Sequence, residues 1–345
     1  MKDGKLGYAV VGLGIGKAHV DAALNNPNCV LVAVCDLIQT KMDKVVEKSP
    51  GTKTYLDYDE MLADPEIDIV SVCVPSGMHA DFSVRAMEAG KHVLCEKPIE
   101  LTVERAMPIE EARIRTGKKA GIIFQNRNNA CMRPMKEAID SGRLGKVFCG
   151  TFAVKWYRDD AYYEGWHGTW DMDGGGSLIN QSVHTVDLMQ WLLGDVESVT
   201  SHMDIVDHDI ETEDFTASLI KFKSGAVATF VSTTCAYPGI CTAIQVYGTG
   251  GSIEADGDSL TAWKMRDGDE DEEEDMLERF GQGNRMAAVL DPTLVAGHQS
   301  MVDDIIDAVL NDRDPQIMPM EAVKAVRIIN AVYESAKTGK TIYFD

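Results

Sequence analysis

Short, continuously apolar runs alternate with amphipathic stretches through the first third of the chain. The runs are Tyr8–Leu13, Val30–Cys35, Ile69–Val74, His92–Cys95 and Ala120–Phe124. They are rich in Val, Ile and Cys and lack in–out alternation, the pattern of strands buried on both faces of a parallel sheet. Between them the spacing predicts helices over His19–Asn25, Thr40–Lys48, Tyr58–Ala63, His79–Ala89 and Thr102–Thr116. Strand and helix in this alternation predict a doubly wound α/β domain over residues 1–124.

The pattern then changes. Ala130–Ser141 reads as a helix closed by Gly142, and longer runs with polar alternation follow: Val147–Tyr157, Val199–Val206, Phe215–Phe222, Ala226–Thr234 and Ala243–Tyr247. Alternation marks strands with one wetted face, so residues 125–345 are expected to form an α+β domain on a large, open, mostly antiparallel sheet. Further helices are predicted over Ser182–Leu193, Gln299–Leu310 and Met320–Lys337, the last entered through Pro319. The two C-terminal helices are candidates to pack back on the first domain.

Charge narrows the function classes. The 345 residues carry 33 Lys and Arg against 55 Asp and Glu, a net charge of −22. That balance opposes binding to nucleic acid or to an anionic membrane. Eight of the charges lie in the run Asp267–Asp275, expected to be a solvated loop. The 8 Cys show no CxxC and no metal-ligand spacing, so neither disulfides nor a metal site are expected. No stretch is long and apolar enough for a membrane span, and the N-terminal apolar run is too short and Gly-broken for a signal peptide. A reducing compartment, the cytoplasm, is the expected setting.

The candidate chemistry lies at strand ends. Gly12-Leu13-Gly14-Ile15-Gly16 joins the first strand to the first helix, where a pyrophosphate can approach backbone and helix N–H groups. Strict spacing would put a third glycine at position 17, which is Lys17. Asp36 ends the second strand, 20 residues past Gly16, placed to accept from a ribose hydroxyl. No Arg follows it to meet a 2′-phosphate, which favours NAD over NADP. Pro75-Ser76…His79 and Glu96-Lys97-Pro98 follow the fourth and fifth runs, and a Lys so placed can stabilise charge on a reacting oxygen. Downstream, Asp173-Gly174-Gly175-Gly176 precedes Asn180, His184 and Asp187, whose i, i+4, i+7 spacing predicts one polar helix face. Six Trp or Tyr fall between Trp156 and Trp170. Such rings suit the C–H faces of a sugar, although packing would use them equally.

In this order the motifs resemble the Gfo/Idh/MocA oxidoreductases: Gly12-x-Gly14…His19, Asp36, Pro75…His79, Glu96-Lys97-Pro98, Phe124-Gln125-Asn126-Arg127, the glycine triplet and His184-x-x-Asp187. The resemblance implies a Rossmann domain binding NAD and a second domain whose sheet forms homodimers or homotetramers. It implies hydride transfer between nicotinamide and a secondary hydroxyl or ketone of a sugar, glycoside or cyclic polyol. It assigns Lys97 and His184 to catalysis, and Gly12, Leu13, Gly14, Ile15, Gly16, Asp36, Pro75, Ser76, His79, Glu96, Lys97 and Gln125 to the cofactor. Lys97, Arg127, Tyr157, Arg158, Trp166, Asn180 and His184 are assigned to substrate, with His298 as a further residue able to reach the cleft. Many relatives carry Asp where this chain has Asn180, so the proton acceptor is open between His184 and Lys97, with Asp187 available to orient His184. Two other readings remain at this point: a non-catalytic NAD/sugar-binding regulator, and an enzyme that recycles bound NAD within a 3-keto-sugar reaction.

Overall fold

The computed structural model describes residues 4–283 and 297–345. The chain divides into two compact units, Met1–Gln125 with Val295–Val323, and Asn126–Leu294 with Lys324–Asp345.

The first unit is built on six strands: β1 (Leu6–Val11), β2 (Cys29–Cys35), β3 (Lys53–Tyr55), β4 (Ile69–Val72), β5 (His92–Cys95) and β6 (Ala120–Ile122). They run parallel in the order β3-β2-β1-β4-β5-β6. Every residue of β1 and β4 is buried, as continuous apolar runs require. The strand order reverses between β1 and β4, so the connections leaving their paired C-terminal ends diverge, at the place where such sheets bind ligands. Helices α1 (Gly16–Asn25), α2 (Gln39–Lys48), α3 (Tyr58–Leu62), α4 (His79–Glu88) and α5 (Val103–Thr116) make the crossovers. Strand β3 escaped the sequence pattern because it is short, and two of its three residues are exposed.

Helix α9 (His298–Leu310) belongs to this unit although it lies late in the chain. Asn26 donates to Asp303 at 2.6 Å, and Ile305 packs where Gly121 lacks a side chain.

The second unit carries α6 (Met132–Asp140), α7 (Val183–Leu193) and eight strands. The strands are β7 (Val147–Lys155), β8 (Val196–Asp204), β9 (Phe215–Phe222), β10 (Val227–Thr233), β11 (Cys241–Gly248), β12 (Gly251–Asp256), β13 (Ser259–Met265) and β14 (Ile342–Tyr343). Their order is β13-β12-β11-β7-β10-β9-β8-β14, antiparallel except for the β7–β10 pair. Register explains the alternation. Ser218, Phe230, Phe152, Ile244 and Ala255 form a row on the buried face, while Thr200, Leu219, Thr229, Thr151, Gln245 and Glu254 form a row on the other. Strands β12 to β14 were not anticipated, since their Gly, Ser and charged residues weaken the apolar signal.

The acidic run is not the expected loop. It winds into α8 (Glu270–Phe280), where Asp269 caps the helix by accepting from the Glu272 N–H at 2.9 Å. Four acidic residues then occupy the first turn, where the helix dipole favours negative charge. Arg143 grips Glu272 in a bidentate pair at 2.5 and 2.6 Å. Helix α10 (Pro319–Thr338) starts as its proline predicts.

Candidate active site

In the first unit, each glycine of the β1–α1 turn has its own reason. Gly12 has φ +86°, and a Cβ there would lie 2.3 Å from the Cys73 carbonyl oxygen. A Cβ on Gly14 would meet nothing within 4 Å, so the backbone faces open space. A Cβ on Gly16 would lie 2.9 Å from Val10 Cγ1 and 3.3 Å from Cys73 Cβ. Gly16 therefore does the helix–strand packing of the fingerprint's last glycine, one residue before Lys17. Ile15 offers α1 no side-chain cap, which leaves the first N–H groups of the helix for an anion.

Asp36 closes this loop. One carboxylate oxygen accepts from the Leu13 N–H at 2.7 Å, the other from the Ile38 N–H at 2.9 Å, and Lys41 Nζ lies 3.4 Å away. A carboxylate has about four acceptor positions, so ribose hydroxyls can still be held. Gln125 is buried, and its Oε1 has no partner among the described residues. That acceptor is available to a carboxamide N–H. Open space at Gly14, uncapped helix N–H groups, Asp36 and this orphan acceptor together fit a dinucleotide.

Other residues expected at the cofactor turn inward. Pro75 precedes a single turn over Ser76–Met78, and the Ser76 side chain is buried. His79 is buried with Nδ1 2.6 Å from the Pro98 carbonyl and Nε2 3.0 Å from that of Val74. It clamps the end of β4 to the turn after Lys97. Burial lowers its pKa against those hydrogen bonds. Glu96 is also buried. Its Oε1 accepts from His19 Nε2 at 2.9 Å and His298 Nε2 at 2.8 Å, and its Oε2 from the Lys97 N–H at 3.1 Å. Burial pushes the Glu96 pKa up, but the two imidazoles outweigh it and hold the group well below the carboxylate range. His19 continues the chain to Ser71 Oγ at 2.8 Å, and Ser71 meets the Tyr8 hydroxyl. Glu96 and His298 thus pin the backbone that carries Lys97, instead of facing a ligand. Their link spans 202 residues and left no local signal. Lys97 itself is half-buried at the end of β5.

In the second unit the expected single helix face is broken. Ser177–Gln181 forms a wide π-type turn, and α7 starts only after Ser182. Asn180 and His184 therefore do not share one regular helix, while His184 and Asp187 do. The extra residue per turn is held by Glu213, which the sequence did not single out. Its carboxylate accepts from the N–H groups of Gly176, Ser177 and Leu178, from Ser177 Oγ and from the Tyr333 hydroxyl, at 2.6 to 3.1 Å. Burial nonetheless raises its pKa. The glycine triplet is needed for this grip, because a Cβ on Gly175 would lie 2.0 Å from the Tyr333 hydroxyl and one on Gly176 1.9 Å from the Glu213 carbonyl.

Between Gln181 and Gln190, His184 is the one residue that is not buried. Arg127, expected at the substrate, makes a buried bidentate ion pair with Asp187 at 2.7 and 2.5 Å. Arg158 is buried, donates to Gln181 Oε1 at 2.8 Å and lies over the rings of Trp156 and Tyr162. Burial lowers its pKa. Tyr157 stands edge-on to Tyr237. Trp166 packs on His167, and Tyr162 stacks on the same ring. Asn180 accepts from Tyr162 and Gln181 and donates to Asp173. His167 and Asp173 are members that sequence reasoning missed.

Two family models cover most of the chain. Residues 6–124 match the oxidoreductase family with NAD-binding Rossmann fold, and residues 132–254 match the GFO/IDH/MocA C-terminal domain. Over 261 residues the chain is 29% identical to the myo-inositol 2-dehydrogenase of Thermotoga maritima, covering 72% of this chain and 74% of that one. It is 31% identical to the D-glucoside 3-dehydrogenase of Escherichia coli over 59% of this chain and 58% of the relative. Among solved structures, the WlbA dehydrogenase from Chromobacterium violaceum, in complex with NADH and UDP-GlcNAcA, superposes with a TM-score of 0.89 at 30% identity, covering 100% of this chain and 97% of that one.

Proposed function

The chain belongs to the GFO/IDH/MocA family of NAD-binding oxidoreductases, and on that premise we propose that Lys97 and His184 drive hydride transfer at a secondary hydroxyl of a sugar, glycoside or cyclic polyol. The cofactor is NAD. Gly12, Gly14 and Gly16 shape its pyrophosphate loop, Asp36 meets the ribose, and Gln125 offers the orphan acceptor. When bound, NAD+ supplies the hydride acceptor at C4 of its nicotinamide.

His184 carries this reading, as the one accessible side chain in an otherwise buried stretch. A neutral imidazole can take the hydroxyl proton as the C–H electron pair leaves with the hydride and the C=O bond forms. Lys97 hydrogen-bonds the reacting oxygen and offsets its developing negative charge. The relatives named for inositol and a glucoside support a six-membered ring with several hydroxyls, and the Tyr157, Tyr162 and Trp166 rings suit its C–H faces. Arg127 serves indirectly, by fixing Asp187 on the helix that carries His184.

The test is NAD+ reduction over a panel of hexoses, glycosides and inositols. Lys97→Ala should lose most turnover, about 100-fold or more, and still bind NADH. Full activity in Lys97→Ala would overturn the mechanism.

The assembly is a homodimer or homotetramer joined through the open face of the eight-stranded sheet. There Leu219 is 52% exposed in a row with Thr200, Thr229, Thr151, Gln245 and Glu254, a face that a second copy would cover. The setting is the cytoplasm. All 8 cysteines are free, and among the described residues no helix is long and apolar enough to cross a membrane.

A further inference from the structure

We propose that His167 binds a substrate hydroxyl as a hydrogen-bond donor through Nε2, in a tautomer set by the buried carboxylate of Asp173 acting through Asn180. This rests on reading the chain as a sugar or polyol dehydrogenase.

The argument starts from Asp173, which is 1% exposed. Its Oδ2 accepts from the Gly168 N–H at 2.9 Å, and its Oδ1 faces the Asn180 amide. A carboxylate can only accept, so the Asn180 NH2 must point towards it. The other end of that amide agrees. Asn180 Oδ1 accepts from the Tyr162 hydroxyl at 3.2 Å and from Gln181 Nε2 at 2.9 Å. With the amide so oriented, its Nδ2 lies 3.2 Å from Nδ1 of His167, nearer than the Tyr162 hydroxyl at 3.4 Å or Asp173 Oδ2 at 3.5 Å, the limit of a hydrogen bond. Nδ1 therefore accepts, and a neutral imidazole that accepts at Nδ1 carries its proton on Nε2.

These bonds engage the Asn180 amide at both its nitrogen and its oxygen. The residue expected to meet substrate is thus spent inside the protein, and His167 inherits the contact. Its side chain is 23% exposed, and Nε2 has no hydrogen-bond partner among the described residues. The ring is held by near-parallel stacking on Tyr162, centroids 4.3 Å apart at 17°, and by Trp166 at 3.9 Å. An oriented N–H beside aromatic faces is the combination that grips a sugar, with its C–H face on a ring and a hydroxyl oxygen on the donor. His167 is a binding residue. Asp173 and Asn180 are positioning residues that act through it.

Two measurements test this. Nitrogen-15 NMR of the NADH complex reads the tautomer of His167, and myo-inositol and methyl β-D-glucoside are then added as probes. The Nε2–H form is expected, with its signals moving on addition of at least one probe. An Nδ1–H form, or signals that neither probe moves, overturns the proposal whether or not either sugar is oxidised. His167→Phe keeps the stacking and removes the donor. With the best substrate of the panel it should raise KM about 10-fold, leaving kcat and NADH affinity within about twofold. An unchanged KM overturns the proposal. Asp173→Asn should lose the single tautomer, and retention of pure Nε2–H would remove Asp173 from the account. If NADH binds but no sugar on the panel is turned over, the dehydrogenase reading fails while the tautomer result stands by itself.

Discussion

A methyl group added at Gly12 would collide with the Cys73 carbonyl, whereas one added at Gly14 would touch nothing within 4 Å. The two substitutions should therefore separate folding from binding. Gly12→Ala combines that clash with a left-handed backbone and should lower the unfolding midpoint by several degrees. Gly14→Ala should leave the midpoint unchanged and weaken NADH binding about 10-fold or more, because the methyl fills space a pyrophosphate needs. Thermal unfolding and fluorescence titration with NADH read the two effects. Equal loss of stability in both variants would contradict this division of labour. Gly12, Gly14 and Asp36 were legible from spacing alone. Gly16 was legible only as a departure, and its packing role needed the coordinates of Val10 and Cys73.

Elements are joined by buried polar groups drawn from distant parts of the chain. In the first unit, His19 of α1, Glu96 after β5 and His298 of α9 share one carboxylate oxygen. The folded-state pKa values of Glu96 and His19 both lie below their unfolded values. The unfolded chain then binds more protons as pH falls, so stability is complete above about pH 6.5, where an unfolded His is neutral. It should decline below that as His19 resists protonation, and further below about pH 4.5 as Glu96 does. Thermal melts between pH 8 and 4 would show a falling midpoint, and a flat profile would contradict the network. In the second unit, Glu213→Ala would strip the acceptor from the turn over Gly176–Leu178 and from Tyr333. A loss of about 3 kcal/mol or more in denaturant unfolding is expected, with turnover falling alongside it. Helix positions were readable because apolar periodicity is local. The π-type turn was not, because its cause is Glu213, more than thirty residues away along the chain.

For the whole molecule, the net charge of −22 changes meaning once α8 is seen. Its acidic turn is a capped, dipole-matched helix start tied to Arg143 and to the Trp263 N–H. Assembly depends instead on the open sheet. Leu219→Asp should shift sedimentation towards the monomer and leave NADH affinity unchanged, since the substitution lies in the second unit, outside the nucleotide loop. An unaltered oligomer would exclude that face as the interface.

Pattern by itself determined the two sheet classes and the dinucleotide loop, because each is written in residues close together along the chain, while Lys97 and His184 stood out only through the order of motifs shared with a family. Only tertiary structure decided what faces a ligand and what faces the protein. Glu96, His79, Arg127 and Asn180 carry the polar groups of binding residues, yet their partners turn out to be His19 and His298, the Pro98 and Val74 carbonyls, Asp187, and Asp173 with Gln181. The physical reason is that a buried polar group must be satisfied by whichever complement the fold brings within 3 Å, and sequence distance says nothing about that. The same requirement turned His167, unremarked in the sequence, into the oriented donor of the second unit.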